Sequence, residues 1–151
     1  PHRVGPTSHQ RRITQSNGQR KPQTSNLKPR RRVYISGPMT GLTRREFMRR
    51  FAVAEVTLAR LGYEPVNPAR FIVCRPWLFR LIGYRLTLIY DLWRLSRCDA
   101  VAYLPNWTAS GGANVEHRYA TSVGIPELPE QLKVWCAVEN DIQDRAIASR
   151  H

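Results

Sequence analysis

Residues Ser96–Glu116 have the sequence SRCDAVAYLPNWTASGGANVE, which predicts a short strand, a turn and the start of a helix. Asp99–Leu104 is an apolar run bounded by a charge and a proline, which predicts one short buried strand. Ser110 can cap the helix that follows, and Glu116 then falls in the second turn of that helix. Glu116 would thus face the carboxyl end of the strand, the edge at which open α/β sheets bind ligands.

Two small residues, Gly111 and Gly112, begin the predicted helix. Glycine lets the backbone approach a ligand closely, which favours a binding site at this point. The same features have a purely structural interpretation, because small residues at a helix start often serve packing and a helical glutamate is usually solvated. Taken by itself, the stretch leaves catalysis and packing both open.

The chain has 151 residues, of which 42% are apolar, and this is enough for one domain with a hydrophobic core. Its net charge of +13 is unevenly distributed. Residues 1–32 contain nine Lys and Arg and no acid, whereas residues 33–151 contain 15 basic and 11 acidic residues. The basic character therefore belongs mainly to the N-terminal segment and does not indicate that the globular part binds nucleic acid.

Residues 1–32 are rich in Arg, Pro, Gln, Ser, Thr and Asn and contain almost no large apolar side chains. Such a segment cannot offset the entropy lost on ordering. We therefore expect a disordered basic tail at 1–32, followed by one α/β domain at 33–151. The functional alternative for the tail is a weak, nonspecific electrostatic contact with nucleic acid or another polyanion.

The three cysteines, Cys74, Cys98 and Cys136, are far apart and lack metal-ligand spacing. His117 is the only histidine between residues 33 and 150, so the sequence predicts no metal site and no cofactor. Cys98 lies beside a predicted strand and is interpreted as a small core residue. The N-terminus has no apolar run typical of a secretory signal, and we expect a reduced, cytoplasmic setting.

A strand–helix–strand unit opens the predicted domain. Val33–Ser36 is a short apolar strand, and Thr43 with Glu46 forms a capping box that predicts the start of a helix. Gly62 is a typical helix stop, and Tyr63–Val66 is a second short strand. Such a unit implies two parallel strands joined by a right-handed crossover.

The strand pattern predicts the order of the sheet. Val33–Ser36 is expected to lie between the strands at 63–66 and 99–104, in a doubly wound and mostly parallel sheet. Asp99 is interpreted as a structural residue that caps the entry of the third strand.

Residues 69–95 are strongly apolar, but an arginine at every fifth position from Arg70 to Arg85 interrupts the run. No window reaches the uncharged length of a membrane span. We expect the apolar side chains of residues 71–90 to be covered by a second copy of the chain, with a lid and a surface membrane helix as alternatives. Leu86–Leu95 is predicted to be helical.

Two further elements are predicted after the third helix, which runs from about 110 to 122 and stops at Gly124. Leu132–Val138 is expected to be a last strand, and Glu139–His151 a final helix. Three residues of that helix are expected to face inward: Ile142, Ala146 and Ile147.

Four motifs occur in a characteristic order. They are Val33-Tyr34-Ile35-Ser36-Gly37-Pro38-Met39-Thr40-Gly41, Gly62-Tyr63 with Asn67-Pro68, Asp91-Leu92 with Cys98-Asp99, and Leu104-Pro105-x-Trp107-x-x-Ser110-x-Gly112-Ala113-x-x-Glu116. In this order the motifs resemble the DUF4406 family of the nucleoside 2-deoxyribosyltransferase-like superfamily, over about residues 32–125. The resemblance implies a flavodoxin-like sheet and an enzyme that cleaves or exchanges the N-glycosidic bond of deoxynucleosides or nucleotides.

The resemblance also implies roles for individual residues. Glu116 matches the nucleophilic glutamate, and Asp91 matches an aspartate that lies at the nucleoside. Tyr34 matches a tyrosine that contacts the nucleophile or the sugar, and Ser36-Gly37 lies where relatives contact a phosphate. Residues 69–90 are longer and more apolar than is usual in this group.

The expected substrate-binding residues come from the two loops at the ends of the strands. They are Ser36, Gly37, Pro38, Met39, Trp107, Ser110 and Gly112. Trp107 is interpreted as a loop aromatic that packs over the pocket and could stack on a base, whereas Ser36 could merely shape a turn. Asp91 could equally be a solvated helical acid. Two other functions stay open: a catalytically silent nucleotide-binding module, and a nucleic-acid-associated protein that uses the basic tail.

Overall fold

The computed structural model describes residues 29–74 and 76–150. It contains, in chain order, β1 Arg32–Ser36, α1 Arg44–Arg60, β2 Glu64–Val66, α2 Ala69–Cys74, α3 Pro76–Leu95, β3 Ala100–Tyr103, a 3₁₀ turn Trp107–Ala109, α4 Gly111–Val123 and α5 Gln131–Ala148. Residues 1–28 of the tail that the sequence predicts to be disordered lie outside the described residues.

The three strands form one parallel sheet in the order β2-β1-β3. Tyr34 in β1 is paired with Val66 on one side and Val101 on the other. The predicted central position of β1 is therefore confirmed. Asp99 accepts a hydrogen bond from the Arg32 backbone N–H at 2.7 Å, which agrees with its predicted role at the entry of β3.

Helices cover both faces of this sheet. On one face α1 and α5 pack over Val33 and Ile35 of β1, and on the other α3 and α4 pack beside Tyr34. This arrangement confirms the doubly wound α/β fold. The order in which strands are added reverses at β1, because β2 lies on one side of it and β3 on the other. Ligands bind at such a switch point in open sheets.

The start of α1 follows the predicted capping box. Thr43 Oγ1 accepts from the Glu46 backbone N–H at 3.3 Å, and Glu46 Oε2 accepts from the Thr43 backbone N–H at 2.8 Å. Phe51, Ala54 and Leu58 then lie buried at helical spacing. These contacts fix the direction of α1 relative to β1. The β1–α1 loop therefore lies at the carboxyl edge of the sheet.

The predicted strand at Leu132–Val138 is wrong, because these residues form the first part of α5. The short apolar run fits the two-residue period of a strand as well as the 3.6-residue period of a helix. In the structure Val134 and Val138, four residues apart, are both buried on one helical face. A single parallel bridge between Glu127 and Val101 lies beside β3 instead. The predicted final helix is the second part of α5, in which Ile142 packs on the core. The predicted inward orientation of Ala146 and Ile147 is wrong, because both residues are exposed near the end of the helix.

Gly83 interrupts α3 with a φ of 74° and a ψ of 170°, a backbone conformation that glycine adopts readily. The helix resumes at once, and Thr87 Oγ1 donates to the Gly83 carbonyl at 3.0 Å. The predicted helix at Leu86–Leu95 is this second part of α3. Among the described residues, no helix is long and apolar enough to cross a membrane.

Candidate functional site

A cavity of about 120 Å³ lies at the carboxyl edge of the sheet, where the β1–α1 loop meets α3 and α4. Two acids line it, Asp91 from α3 and Glu116 from α4. Four of the predicted substrate-binding residues line the same cavity: Gly37, Met39, Ser110 and Gly112. The fold thus brings residues that are distant in sequence to one site.

Glu116 is held from β1 through both of its carboxyl oxygens. The Tyr34 hydroxyl donates to Oε1 at 2.8 Å, and the Ser36 hydroxyl donates to Oε2 at 2.5 Å. Tyr34 and Ser36 are two residues apart, so they point to the same face of the strand. Only 7% of Glu116 is exposed, and the carboxyl group therefore has a fixed orientation.

The start of α4 explains why a glutamate reaches this position. The Ser110 side chain accepts from the Ala113 backbone N–H at 3.4 Å and caps the helix, as the sequence predicts. Ala113, Glu116 and Ala120 then form the buried face of α4. Glu116 occupies a core-facing position beside two small residues, which leave room for its contacts with β1.

Burial raises the pKa of Glu116 from its ordinary value of 4.5 to about 7. The hydrogen bonds from Ser36 and Tyr34 act in the opposite direction, because they stabilise the ionised form, and the charge of Asp91 adds a further increase. The pKa of Tyr34 is raised well above 10, first by burial and then by Glu116. Tyr34 therefore stays protonated and remains a donor at neutral pH.

Asp91 is the second acid of the cavity and is only 8% exposed. Burial raises its pKa to about 7, against a smaller lowering by Arg94. Its Oδ1 atom is buried and has no hydrogen-bond partner among the described residues. An unpaired buried acceptor is costly, so this oxygen is suited either to carry a proton or to receive a donor from a ligand.

The remaining predicted residues take different positions. Pro38 belongs to the β1–α1 loop and is buried, but it does not line the cavity. Gly37 has a packing reason besides its place in the cavity: a Cβ atom at this position would lie 2.7 Å from Leu104 Cβ. Only glycine therefore lets the loop after β1 pass this close to the end of β3.

Trp107 does not line the cavity. Its ring lies 4.6 Å from that of Tyr103 and 4.7 Å from that of His117, measured between centroids. Asn106 adopts a left-handed conformation with φ 62°, and the 3₁₀ turn that follows carries the indole onto this cluster. The predicted contact of Trp107 with a substrate base finds no support in this position.

Several residues of the cavity wall were not predicted. Phe51, Ile72, Tyr84, Thr87 and Leu88 line it. The sequence contained one usable signal, since Thr87, Leu88 and Asp91 follow at helical spacing and must share a face. Tyr84 continues the same spacing, three residues before Thr87 and seven before Asp91. Its Oη atom is 3.3 Å from the position that a Cβ of residue 112 would take, and a methyl group there would be tightly packed.

Other chemistry-bearing groups lie outside this cavity. Within residues 29–74 and 76–150, no group of three or more His, Cys, Asp and Glu side chains is arranged to hold a metal ion. Cys98 is buried in the core, as predicted, and burial raises the pKa of its thiol to about 11. Such a thiol is almost entirely protonated at neutral pH and is a poor nucleophile.

Comparisons with known proteins identify the family. The family described as "Domain of unknown function (DUF4406)" matches residues 31–127, which include β1, both acids of the cavity and the whole of α4. Comparison with curated proteins gives no match, and neither does comparison with solved structures. Because the match spans well over half of its length, the chain belongs to the DUF4406 family.

Proposed function

We propose that this protein cleaves or exchanges the N-glycosidic bond of a deoxynucleoside, nucleoside or nucleoside 5′-monophosphate, with Glu116 as the nucleophile. The observation that carries the proposal is the double hydrogen bond from Tyr34 and Ser36 to Glu116, beside Asp91 in one cavity. The resemblance to nucleoside 2-deoxyribosyltransferases supports the same assignment.

The first step forms a bond between a Glu116 carboxylate oxygen and C1′ of the sugar. The C1′–N bond breaks, and its electron pair leaves with the base. Protonated Asp91 supplies a proton to the departing nitrogen, which makes the base a better leaving group. The bond between Glu116 and C1′ then breaks as water or the nitrogen of a second base attacks C1′, giving hydrolysis or transfer. The Asp91 carboxylate takes the proton that the attacking group loses, and the Glu116 carboxylate is regenerated.

The electrostatics of the cavity suit this division of roles. Burial raises the pKa values of Glu116 and Asp91 to about 7, so the two acids together hold about one proton on average near neutral pH. Hydrogen bonds from Tyr34 and Ser36 favour the ionised form of Glu116, whereas Asp91 has an unpaired oxygen. The shared proton is therefore better placed on Asp91, which leaves Glu116 ready to attack.

The size of the cavity favours recognition of the sugar. A volume of about 120 Å³ is slightly smaller than the roughly 150 Å³ that encloses one benzene ring. It therefore has room for no more than about one ring of the substrate, and we assign the sugar to it because both acids line it. Apolar side chains on its wall, among them Phe51, Ile72 and Leu88, exclude water from C1′ and strengthen the interactions of the two acids. The base and any 5′-phosphate would extend beyond this cavity.

A catalytically silent nucleotide-binding module is the second candidate. The raised pKa of Glu116 favours it, because a partly protonated carboxyl group binds a polar ligand but is a weaker nucleophile. The wild-type protein incubated with a panel of nucleosides and 5′-monophosphates, followed by chromatography, distinguishes the two. Free base from at least one compound is the result expected of the enzyme. Calorimetric binding without any base release, even with an added acceptor base, would instead establish the silent module.

A further inference from the structure

The second part of α3 has an apolar face that points away from the cavity and the core. Leu86, Ile89 and Trp93 follow at helical spacing, and Ile89 is 61% and Trp93 49% exposed. Tyr90 is adjacent to this stripe and is also exposed. Thr87, Asp91 and Leu95 occupy the opposite, buried face of the helix. We call the exposed set Leu86, Ile89, Tyr90 and Trp93 the outer stripe of α3.

The charged residues of α3 and of the loop after it that flank the outer stripe are all positive. Glu55 of α1 shares a groove with Tyr90 and Arg94, but it is paired with Arg70 at 2.7 Å. Arg85 and Arg97 are exposed at its two ends, and Arg94 is half-buried along its side. The guanidinium of Arg97 lies 4.1 Å from the centre of the Trp93 ring. Asp91 is the only acid between residues 76 and 98, and it is buried on the other face. The outer stripe is thus an apolar surface bordered by cations.

The basic N-terminal segment joins the fold next to this surface. The Arg32 guanidinium donates to the Arg97 carbonyl at 3.3 Å, so the chain enters β1 beside the end of the outer stripe. The sequence up to and including Arg32 contains nine Lys and Arg and no acid. Apolar side chains and a polybasic segment are two separate contributions to binding at an anionic interface.

We propose that the outer stripe of α3 docks the protein on an anionic lipid surface. The helix would lie in the plane of the interface, with Leu86, Ile89 and Trp93 among the upper acyl chains. Arg85 and Arg97 would then meet lipid phosphates at the depth of the headgroups. The polybasic segment adds long-range attraction to the same surface.

Two other occupants fit this face less well. A second copy of the chain, paired about a two-fold axis through this face, would bring Arg85 and Arg97 near cations of the other copy, and α3 itself has no acid on this face to balance them. A single-stranded nucleic acid would satisfy the cations and stack on Trp93, but it offers no apolar partner for Leu86 and Ile89. An anionic lipid surface provides both a negative charge and an apolar interior.

The experiment measures co-sedimentation of the full chain with vesicles of phosphatidylcholine that contain roughly one third phosphatidylglycerol. The test variant carries Ile89→Gln and Trp93→Gln, and both positions are on the protein surface. A matched control is Leu132→Gln on α5, which is 72% exposed and lies on the other side of the sheet. We expect binding of the wild type and the control, and at least roughly tenfold weaker binding of the test variant.

Circular dichroism melting of each variant verifies the fold. If the double variant is unfolded, Arg85→Gln is the second variant, and it should weaken binding to the anionic vesicles by removing one cation. Binding to vesicles of pure phosphatidylcholine should be much weaker than binding to the anionic ones. Equal vesicle binding by the wild type and a folded test variant would overturn the proposal. Failure of the wild type to bind anionic vesicles would also overturn it. In that case, dissociation of a dimer by the stripe substitutions would indicate a second copy of the chain on this face, and loss of oligonucleotide binding would indicate a nucleic acid.

Discussion

The Tyr34 hydroxyl donates a hydrogen bond to Glu116 Oε1 at 2.8 Å, although the two residues are 82 positions apart in the sequence. The contact joins the central strand to the helix that follows β3, at the point where the strand order reverses. Ser36 adds a second hydrogen bond to the other oxygen of the same carboxyl group. The position of Glu116 is therefore set by the rigid sheet and not by a surface loop, as a reacting group requires.

Substitution of Tyr34 by Phe should shift the pH dependence of base release. The Tyr34 hydroxyl lowers the pKa of Glu116, so its removal should raise that pKa and move the acidic limb of the pH–rate profile to higher pH. An unpaired buried oxygen should also cost about 1–3 kcal/mol of stability above pH 7. Initial rates across the pH range, together with urea unfolding, measure the two effects.

Tyr63→Phe is a matched control for this substitution. Tyr63 also donates to a glutamate, Glu130, at 2.7 Å, but neither residue lines the cavity. It should leave the pH–rate profile unchanged. Identical profiles for Tyr34→Phe and the wild type would show that the Tyr34 hydroxyl does not act on Glu116.

The raised pKa of Glu116 predicts that this residue destabilises the fold as the pH rises. The folded protein holds the Glu116 proton more tightly than the unfolded chain, so stability is greatest below 4.5 and is lost as the pH rises through about 7. Glu116→Gln removes this titration. The free energy of unfolding of the variant relative to the wild type should therefore increase between about pH 5 and about pH 8, by about 2 kcal/mol. A constant difference over this range would mean that the pKa of Glu116 is not raised.

Gly37→Ala should destabilise the protein, because the added methyl group would lie 2.7 Å from Leu104 Cβ at the end of β3. The cost of such overpacking is about 1–3 kcal/mol. Gly111→Ala is the matched control, since a Cβ at residue 111 meets no atom within 4 Å. Thermal unfolding measures the difference in stability between the two variants. Equal melting temperatures would argue against the close approach of the loop after β1 to the end of β3.

Asp91→Asn should remove the alkaline limb of the pH–rate profile. Base release by the wild type should rise as Glu116 ionises and fall as Asp91 loses its proton, with a maximum near pH 7, because both pKa values are about 7. The variant lacks the acid, so its rate should be lower by roughly 10²–10⁴-fold and should not fall at high pH. An alkaline limb that persists in Asp91→Asn would assign the acid to another group.

Local signals in the sequence predicted most of the fold. The Thr43 capping box, the Gly62 stop and the Ser110 cap each act within one turn of helix, and all three are present in the structure. The Ser110 cap and the helical period also predicted that Glu116 faces the sheet. The failure at Leu132–Val138 has a similar local origin, since branched and aromatic residues in a short run fit a strand as well as a helix.

The rest of the cavity depends on long-range geometry that periodicity does not contain. Phe51 of α1 and Ile72 of α2 line the cavity with Asp91 of α3, and no spacing rule relates these three helices. Trp107 turns toward Tyr103 because Asn106 adopts a left-handed conformation, and no spacing rule predicts this. The assignments of Asp91 and Tyr34 came from a resemblance to a family.

The most direct test of the central claim is the rate of base release by Glu116→Gln, on the compound that the wild type cleaves fastest. The substituted amide keeps the shape of the glutamate side chain but lacks the attacking charge. The rate should be lower by roughly a thousandfold or more, with calorimetric binding of the same compound retained. A Glu116→Gln variant that releases base at the wild-type rate would contradict the assignment of Glu116 as the nucleophile.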